Sequence, residues 1–321
     1  MAGKRVGEVM QDEDMMRRPG SCTIIGGGLI ATAGALALDS LRREVTVVSR
    51  APPPLGGDGI IWKYGDLGSA TASHAVERSE SVIYAAGTLG PATRLDSVSD
   101  AISDEIVPVL ALAEHAAASG AKTFVFISSG GTVYGPDAPI PTPETSRTAP
   151  INLYGTIKAL TEQALLAVGR QHGISIVILR VSNPYGPGQT GTRRMGFVAA
   201  AIKASLSGEP IVIWGDGSTT RDFIFIDDVG HALALAAGYR GESAILNIGS
   251  GEERSLLQVC ECVSNSSHQR LEVAFDQGRS FDVPRSCLDV SRAADVLGWR
   301  PRVALDDGIA RTMGTAVPLG E

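Results

Sequence analysis

Cys22-Thr23-Ile24-Ile25-Gly26-Gly27-Gly28-Leu29-Ile30-Ala31, followed by an Ala/Leu-rich run over 32–41, decides the fold. The β-branched residues read as a strand, the glycines as a tight turn, and 32–41 as a helix. Strand, glycine turn, helix is the order a dinucleotide site requires. Glycines let the backbone approach a pyrophosphate, and the next helix offers free N–H groups and a partial positive charge. A glycine cluster alone also makes an ordinary turn. Its position at the head of a repeating strand and helix pattern is what favours the ligand-binding reading.

The pattern continues along the chain. Val45-Thr46-Val47-Val48 reads as a second strand and ends in Ser49-Arg50, where a dinucleotide fingerprint places Asp or Glu for the ribose hydroxyls of NAD. A carboxylate there repels a 2′-phosphate, whereas a hydroxyl and a guanidinium bind it. NADP(H) is therefore favoured over NAD(H), against the plainer view of Arg50 as a solvated loop residue. Residues 59–62 read as a third strand leading to Gly65-Asp66-Leu67. Ser81-Val82-Ile83-Tyr84-Ala85-Ala86-Gly87 reads as a buried strand whose small terminal residues leave room for a ligand. A helix is expected over 100–118, kinked or shifted at its start by Pro108. Thr123-Phe124-Val125-Phe126-Ile127 is the next strand and runs into Ser128-Ser129-Gly130-Gly131-Thr132-Val133-Tyr134-Gly135.

The candidate chemistry lies just beyond. Residues 152–173 carry Leu153, Ile157, Leu160, Ala164, Leu165 and Val168 at helical spacing and end in Gln171-His172-Gly173, a helix stop. Tyr154 and Lys158 thus share a face one turn apart. A free tyrosine titrates near ~10, so proton transfer near neutrality needs a shift of about three units, or roughly 4 kcal/mol. Burial alone raises a tyrosine pKa, so a neighbouring cation must win, and Lys158 is suitably placed. Tyr-x-x-x-Lys also arises by chance on amphipathic helices. The hydroxyls at the end of the preceding strand complete a Ser/Thr, Tyr, Lys constellation.

With 321 residues, 44% hydrophobic and 20% charged, the chain has ample material for a core. A net charge of −7 without a long basic run argues against nucleic acid as a partner. Cys22, Cys260, Cys262 and Cys287 are few and irregularly spaced, which favours a reducing compartment. Cys260-x-Cys262 lacks a second ligand pair and the five histidines are scattered, so no metal site is expected. Residues 1–20 read as a loosely ordered tail without the apolar stretch of a signal peptide. No run of 18 apolar residues exists for a membrane span, and the expected location is cytoplasmic.

The ordered set now resembles a known family. It comprises the glycine loop, Ser128-Ser129 with Val133-Tyr134-Gly135, Tyr154-x-x-x-Lys158, and Leu179-Arg180 with Asn183-Pro184-Tyr185-Gly186-Pro187-Gly188. Gly215-Asp216-Gly217 with Arg221-Asp222-Phe223, and Asn247-Ile248-Gly249-Ser250-Gly251, extend it. Over about 21–315 the chain resembles the extended short-chain dehydrogenase/reductases, most closely the UDP-glucose 4-epimerase-like branch that modifies nucleotide sugars. The resemblance implies that Tyr154 is the acid or base and Lys158 its electrostatic partner and a holder of the nicotinamide ribose. Gly26, Gly28, Leu29, Ile30, Ser49, Arg50, Asp66, Leu67, Ala85, Ala86, Gly87 and Ser128 then join Tyr154 and Lys158 around the cofactor. Asn183 and Arg221 match positions that grip a diphosphate, and Trp214 matches an aromatic near the base. Arg279-Ser280-Phe281-Asp282 resembles the late Arg-x-x-Asp that closes over phosphate and ribose, so Arg279 and Asp282 belong to the substrate set. Planar, bidentate arginines suit a diphosphate. The ordinary alternatives are surface ion pairing for Arg221 and Arg279 and core packing for Trp214.

Three departures stand out. Ile25 and Ala31 occupy the outer glycine positions unless the loop is the shorter Gly26-x-Gly28-x-x-Ala31 form. The usual catalytic hydroxyl, four residues before Tyr134, is Gly130, which leaves Ser129 or Thr132 to serve. Ser49 replaces the acidic residue. The expected architecture is α/β, a doubly wound parallel sheet of Rossmann type with a smaller C-terminal substrate-binding lobe. The boundaries are 21–184 plus about 222–250 for the dinucleotide-binding part, and 185–221 plus 251–321 for the lobe. From Phe223 the chain is expected to return to the sheet, and Leu297-Gly298-Trp299-Arg300-Pro301 reads as a structural helix end.

The expected activity is nicotinamide-dependent chemistry at C4 of a nucleoside-diphosphate sugar. An NADPH-dependent 4-ketoreductase leads, an NAD-dependent 4-epimerase is the alternative, and a non-catalytic cofactor-binding scaffold is the second. A dehydratase fits less well, because the Thr-Asp-Glu turn of those relatives is absent. Family members are often homodimers through two helices, one of them carrying the tyrosine.

Overall fold

The computed structural model of the protein describes residues 20–51, 57, 59–87, 89–90, 93, 97–189, 196–278 and 283–315. The first half of the chain runs β1 (Cys22–Ile25), α1 (Leu29–Ser40), β2 (Val45–Ser49), β3 (Ile60–Tyr64), α2 (Ala70–Glu77) and β4 (Ser81–Tyr84). It continues through α3 (Val98–Ala101), a π-helical turn (Ile102–Ile106), α4 (Val107–Ala118), β5 (Thr123–Ser129), α5 (Leu153–His172) and β6 (Ser175–Val181). Then follow β7 (Asn183–Tyr185), α6 (Phe197–Ser207), β8 (Ile211–Trp214), β9 (Thr220–Phe225), α7 (Ile226–Gly238) and β10 (Ala244–Ile248). The chain closes with β11 (Glu253–Ser255), α8 (Leu256–Ser267), β12 (Val273–Asp276), α9 (Ser291–Leu297) and α10 (Leu305–Thr315).

Seven parallel strands form the main sheet in the order β10-β6-β5-β4-β1-β2-β3. Strand order reverses between β1 and β4, which opens a crevice at their carboxyl ends. Alternate side chains feed two buried layers. Ile24, Val47, Ile83, Val125, Val177 and Leu246 face one core with α1 and α7. Ile25, Val48, Val82, Phe124, Phe126 and Ile176 face the other, with α2, α4 and α5. Near-continuous Val/Ile/Leu runs are what a sheet covered on both faces demands. The doubly wound architecture expected from the sequence is therefore present.

A third cluster joins Tyr185, Val198, Ile202, Ile213, Phe223, Phe225, Val259 and Ile309, and lies among a three-stranded sheet (β11-β9-β7), the β8–β12 pair, α6, α8 and α10. β9 belongs to this small sheet, so the return to the main sheet is made by β10. Trp299, 0% exposed, packs with the main core and donates its indole N–H to the Asp228 carbonyl at 2.9 Å.

Local differences from expectation have local causes. α1 begins at Leu29, three residues before the expected 32, because Gly28 already caps it. The segment over 100–118 is divided where Pro108 enters. Proline lacks the N–H for the α-helical ladder and its ring crowds the preceding turn. The turn widens, and the Val107 N–H reaches Ile102 O instead. α5 keeps its expected ends: the Asn152 side chain accepts from Gly155 N at 2.8 Å, and Gly173 closes it at φ 70°. Leu160, grouped by spacing with the apolar face, is 47% exposed.

Candidate active site

The glycine turn forms the floor of the crevice. Gly26 has φ 126°, and a Cβ there would lie 2.7 Å from the Ala85 carbonyl oxygen, so β1 and β4 close up as only glycine allows. Gly28 caps α1 in an extended conformation and has no side chain to satisfy a first-turn N–H, and a Cβ at 28 would meet nothing within 4 Å. Open space in front of an uncapped helix N-terminus fits a pyrophosphate. The short Gly26-x-Gly28-x-x-Ala31 reading matches this geometry, with Ala31 fully buried behind the turn. Leu29 and Ile30 begin α1, and Ile30 lines a cavity of about 160 Å³ together with Ala85, Ala86 and Gly87 beyond β4.

Tyr154 and Lys158 close that cavity from α5. The Lys158 Nζ donates to the Ile127 carbonyl at 2.9 Å and sits 4.7 Å from the centre of the Phe126 ring and 5.8 Å from that of Tyr154. Burial pushes its ammonium down to about 8, against the pull of Glu105 and Glu162. An amine that titrates near neutrality beside a phenol is the electrostatic setting proton transfer requires.

The end of β5 differs from a simple hydroxyl row. The Ser128 hydroxyl turns inward and donates to Glu162, away from the cavity. Glu162, four residues beyond Lys158 on the same face of α5, also receives Arg180 through Nε at 3.1 and 3.2 Å and Nη2 at 2.6 Å. Arg180 lies against the Tyr134 ring at 4.7 Å, and the Tyr134 hydroxyl donates to Asn247 Oδ1 at 2.7 Å. Of the two hydroxyls left to serve, Ser129 is half-buried, while Thr132 Oγ1 is buried without a partner among the described residues. Neither lines the cavity beside Tyr154. The place of a side chain at Gly130 is filled: a Cβ there would lie 2.5 Å from a Leu288 methyl and 3.0 Å from the Arg180 carbonyl oxygen.

At the other end of the crevice, the Ser49 hydroxyl donates to the Ala51 carbonyl and accepts the Trp62 indole N–H at 2.8 Å. Arg50 is exposed. Asp66 and Leu67 follow β3: the Asp66 carbonyl accepts from Ser69, and Leu67 packs on the core. On the lobe side, Asn183 Nδ2 donates to the Asp222 carbonyl at 3.1 Å, and Arg221 Nη1 donates to the Thr220 and Val283 carbonyls at 2.8 and 2.6 Å. Trp214 ends β8 with 43% of its surface exposed. Arg279 and Asp282 lie outside the described residues.

Two features were not anticipated as parts of the site. Glu105 enters the cavity from the π-helical turn. Asp222 is fully buried and accepts from Ser182 Oγ, from Ser250 N and Oγ, and from the N–H groups of Gly251 and Leu288, tying four segments together. Burial pushes its carboxyl up, opposed by those hydrogen bonds. The i+4 step from Lys158 was the one available signal for Glu162.

Residues 22–249 match the sequence model of the "NAD dependent epimerase/dehydratase family". The chain belongs to this family. It is 36% identical over 208 residues to a UDP-glucose 4-epimerase of Mycolicibacterium smegmatis, a match spanning 65% of this chain and 66% of that protein, just under two thirds of its length. A dTDP-4-dehydro-6-deoxyglucose reductase of Escherichia coli is 31% identical over 72% of each chain. Among solved structures, the UDP-glucose 4-epimerase of Thermotoga maritima, crystallised with UDP-glucose, superposes with a TM-score of 0.84 at 28% identity. It covers 92% of this chain and 98% of its own.

Proposed function

We propose that the protein is an NADPH-dependent reductase of the C4 keto group of a nucleoside-diphosphate 4-keto-hexose. The observation that carries this reading is the end of β2. Among the described residues at the end of β2, Ser49 to Ala51, no carboxylate stands to repel a 2′-phosphate, and the Ser49 hydroxyl is committed to Ala51 and Trp62. Arg50 remains exposed as the charged donor. A bound nicotinamide supplies the hydride. Tyr154 gives its phenolic proton to the oxygen at C4, and the Lys158 ammonium stabilises the phenolate left behind. Thr132 or Ser129, neither of them in the lining beside Tyr154, is left as the second donor to that oxygen, and Thr132 Oγ1, buried without a partner among the described residues, favours Thr132. Gly26, Gly28, Leu29, Ile30, Asp66, Leu67, Ala85, Ala86 and Gly87 frame the cofactor, and Asn183, Arg221, Trp214, Arg279 and Asp282 hold the nucleotide sugar.

A second reading, an NAD-dependent 4-epimerase, is favoured by the 36% identical relative and by the family to which the chain belongs. In that reaction Tyr154 first takes the C4 hydroxyl proton and then returns it, with no net consumption of cofactor. In either case the exposed apolar residues Val98 and Val107 (55% each) and Leu160 (47%) on α3, α4 and α5 fit a homodimer joined through these helices, in the cytoplasm.

The test is calorimetric binding of NADPH and NADH to cofactor-stripped protein, repeated with Arg50→Ala. NADPH should bind more tightly, and loss of a charge-assisted contact worth about 1.5–3 kcal/mol should cost it roughly tenfold to a hundredfold while NADH is little changed. Preference for NADH, or NAD that cannot be stripped, would overturn the reductase in favour of the epimerase.

A further inference from the structure

Trp62 ties the last strand of the main sheet to the glycine turn. The register of β3 on β2 sets Trp62 opposite Val47, two residues short of Ser49. Side chains lean along their strand, and the indole reaches towards the carboxyl end of β2. There its N–H is shared between Ser49 Oγ at 2.8 Å and the Ala51 carbonyl at 3.1 Å. These bonds hold in place a ring that keeps 36% of its surface exposed. The same serine oxygen lies against the cofactor turn. A Cβ at Gly27 would come within 2.8 Å of Ser49 Oγ and 3.2 Å of the Ala51 carbonyl oxygen.

A serine hydroxyl has one proton and two lone pairs. Ser49 gives its proton to the Ala51 carbonyl and takes the indole N–H on one lone pair. Among the described residues no other donor reaches this oxygen, so it has one lone pair left and no proton to offer. We propose that Trp62 is a positioning residue that sets cofactor specificity through Ser49. It presets the hydroxyl as an acceptor, which takes the proton of a ribose 2′-hydroxyl and has none to give to a 2′-phosphate. A phosphate monoester is mostly doubly charged near neutrality and presents only acceptor oxygens, so at Ser49 it meets a lone pair. Selection for the phosphate is then left to the exposed Arg50 guanidinium, and Trp62 works against it. Without the indole N–H, Ser49 Oγ loses one of its two anchors. Rotation about its Cα–Cβ bond then lets the hydroxyl donate to the phosphate instead of to Ala51.

The inference rests on the proposed seat of the adenosine ribose at the end of β2, and its test needs no substrate. NADPH and NADH are titrated by calorimetry into the cofactor-stripped protein and into Trp62→Phe, which keeps an aromatic ring and removes the N–H. The same is done with Ser49→Ala and with the double variant. Trp62→Phe should raise the affinity for NADPH relative to NADH by about three- to tenfold, the scale of one hydrogen bond. In the Ser49→Ala background the same change should leave that ratio where it was, because the oxygen on which the indole acts is gone. A ratio that Trp62→Phe leaves unmoved, with both cofactors unchanged or both weakened alike, would overturn the proposal and make Trp62 a packing residue of the edge strand. So would a ratio that moves towards NADH, or one that moves equally with and without the Ser49 oxygen. The fate of the reductase is read separately. A ratio that rises in Trp62→Phe, when the unaltered protein prefers NADH, upholds the role of Trp62 and defeats the NADPH reading. An NADPH preference lost in Arg50→Ala but indifferent to Trp62→Phe does the reverse.

Discussion

Glu162→Gln changes one charge in the interior and almost no volume. Glu162 and Arg180 are 0% and 2% exposed. The carboxylate receives two nitrogens of Arg180 and the Ser128 hydroxyl, and Arg180 Nη1 has no hydrogen-bond partner among the described residues. A carboxamide offers one acceptor oxygen, and its NH2 group must point at a guanidinium or a hydroxyl. Arg180 would be left as an uncompensated buried cation, and the Tyr134 ring beside it contributes equally before and after the change. Removing one partner of a buried pair costs about 3–5 kcal/mol. In a urea titration read by fluorescence, a slope near 3 kcal/mol per molar turns this into a midpoint lower by about 1 M or more. The double variant Glu162→Leu with Arg180→Met should recover most of that loss, because replacing both charges by apolar groups is often close to neutral. Since Glu162 also braces α5 against β5 and β6, the single variant should weaken binding of the nicotinamide cofactor as well. A loss below about 1 kcal/mol, within the range of ordinary surface changes, would refute the description of this pair as a dry, mutually dependent charge pair.

Two further outcomes follow from the site. Tyr154→Phe should lower kcat by about a hundredfold or more while nucleotide-sugar binding, measured by calorimetry, stays close to that of the unaltered protein; retained turnover would remove Tyr154 from proton transfer. Gly130→Ser, which restores a hydroxyl four residues before Tyr134, should be destabilised by about 1–3 kcal/mol in the same urea assay, because its Cβ meets Leu288 and the Arg180 carbonyl. Leu288→Ala in that background should make room, so the combined loss should fall short of the sum of the two single losses.

The expectations that rest on short stretches of sequence match the structure closely. β1, the glycine turn and α1 follow one another within twenty residues, and each is set by local propensity or by a glycine that must adopt φ 126°. Tyr154 and Lys158 share a face because four residues make about one helical turn. The disturbance at Pro108 was legible because a missing N–H acts on its own helix.

The directions of side chains were decided elsewhere. Ser128 stood in a row of hydroxyls that pointed to the cofactor, yet it turns to Glu162, 34 residues away. The space beside Gly130 is taken by Leu288, from a loop far along the chain. Glu105 carried no motif and lines the cavity from a turn whose neighbour Ile106 is buried in one cluster with Ile157 of α5. Periodicity and capping are nearest-neighbour effects and can be read along one dimension. Desolvation, charge balance around Lys158 and the filling of a particular void depend on which distant segments meet, and that is decided only when the sheet and its helices close on one another.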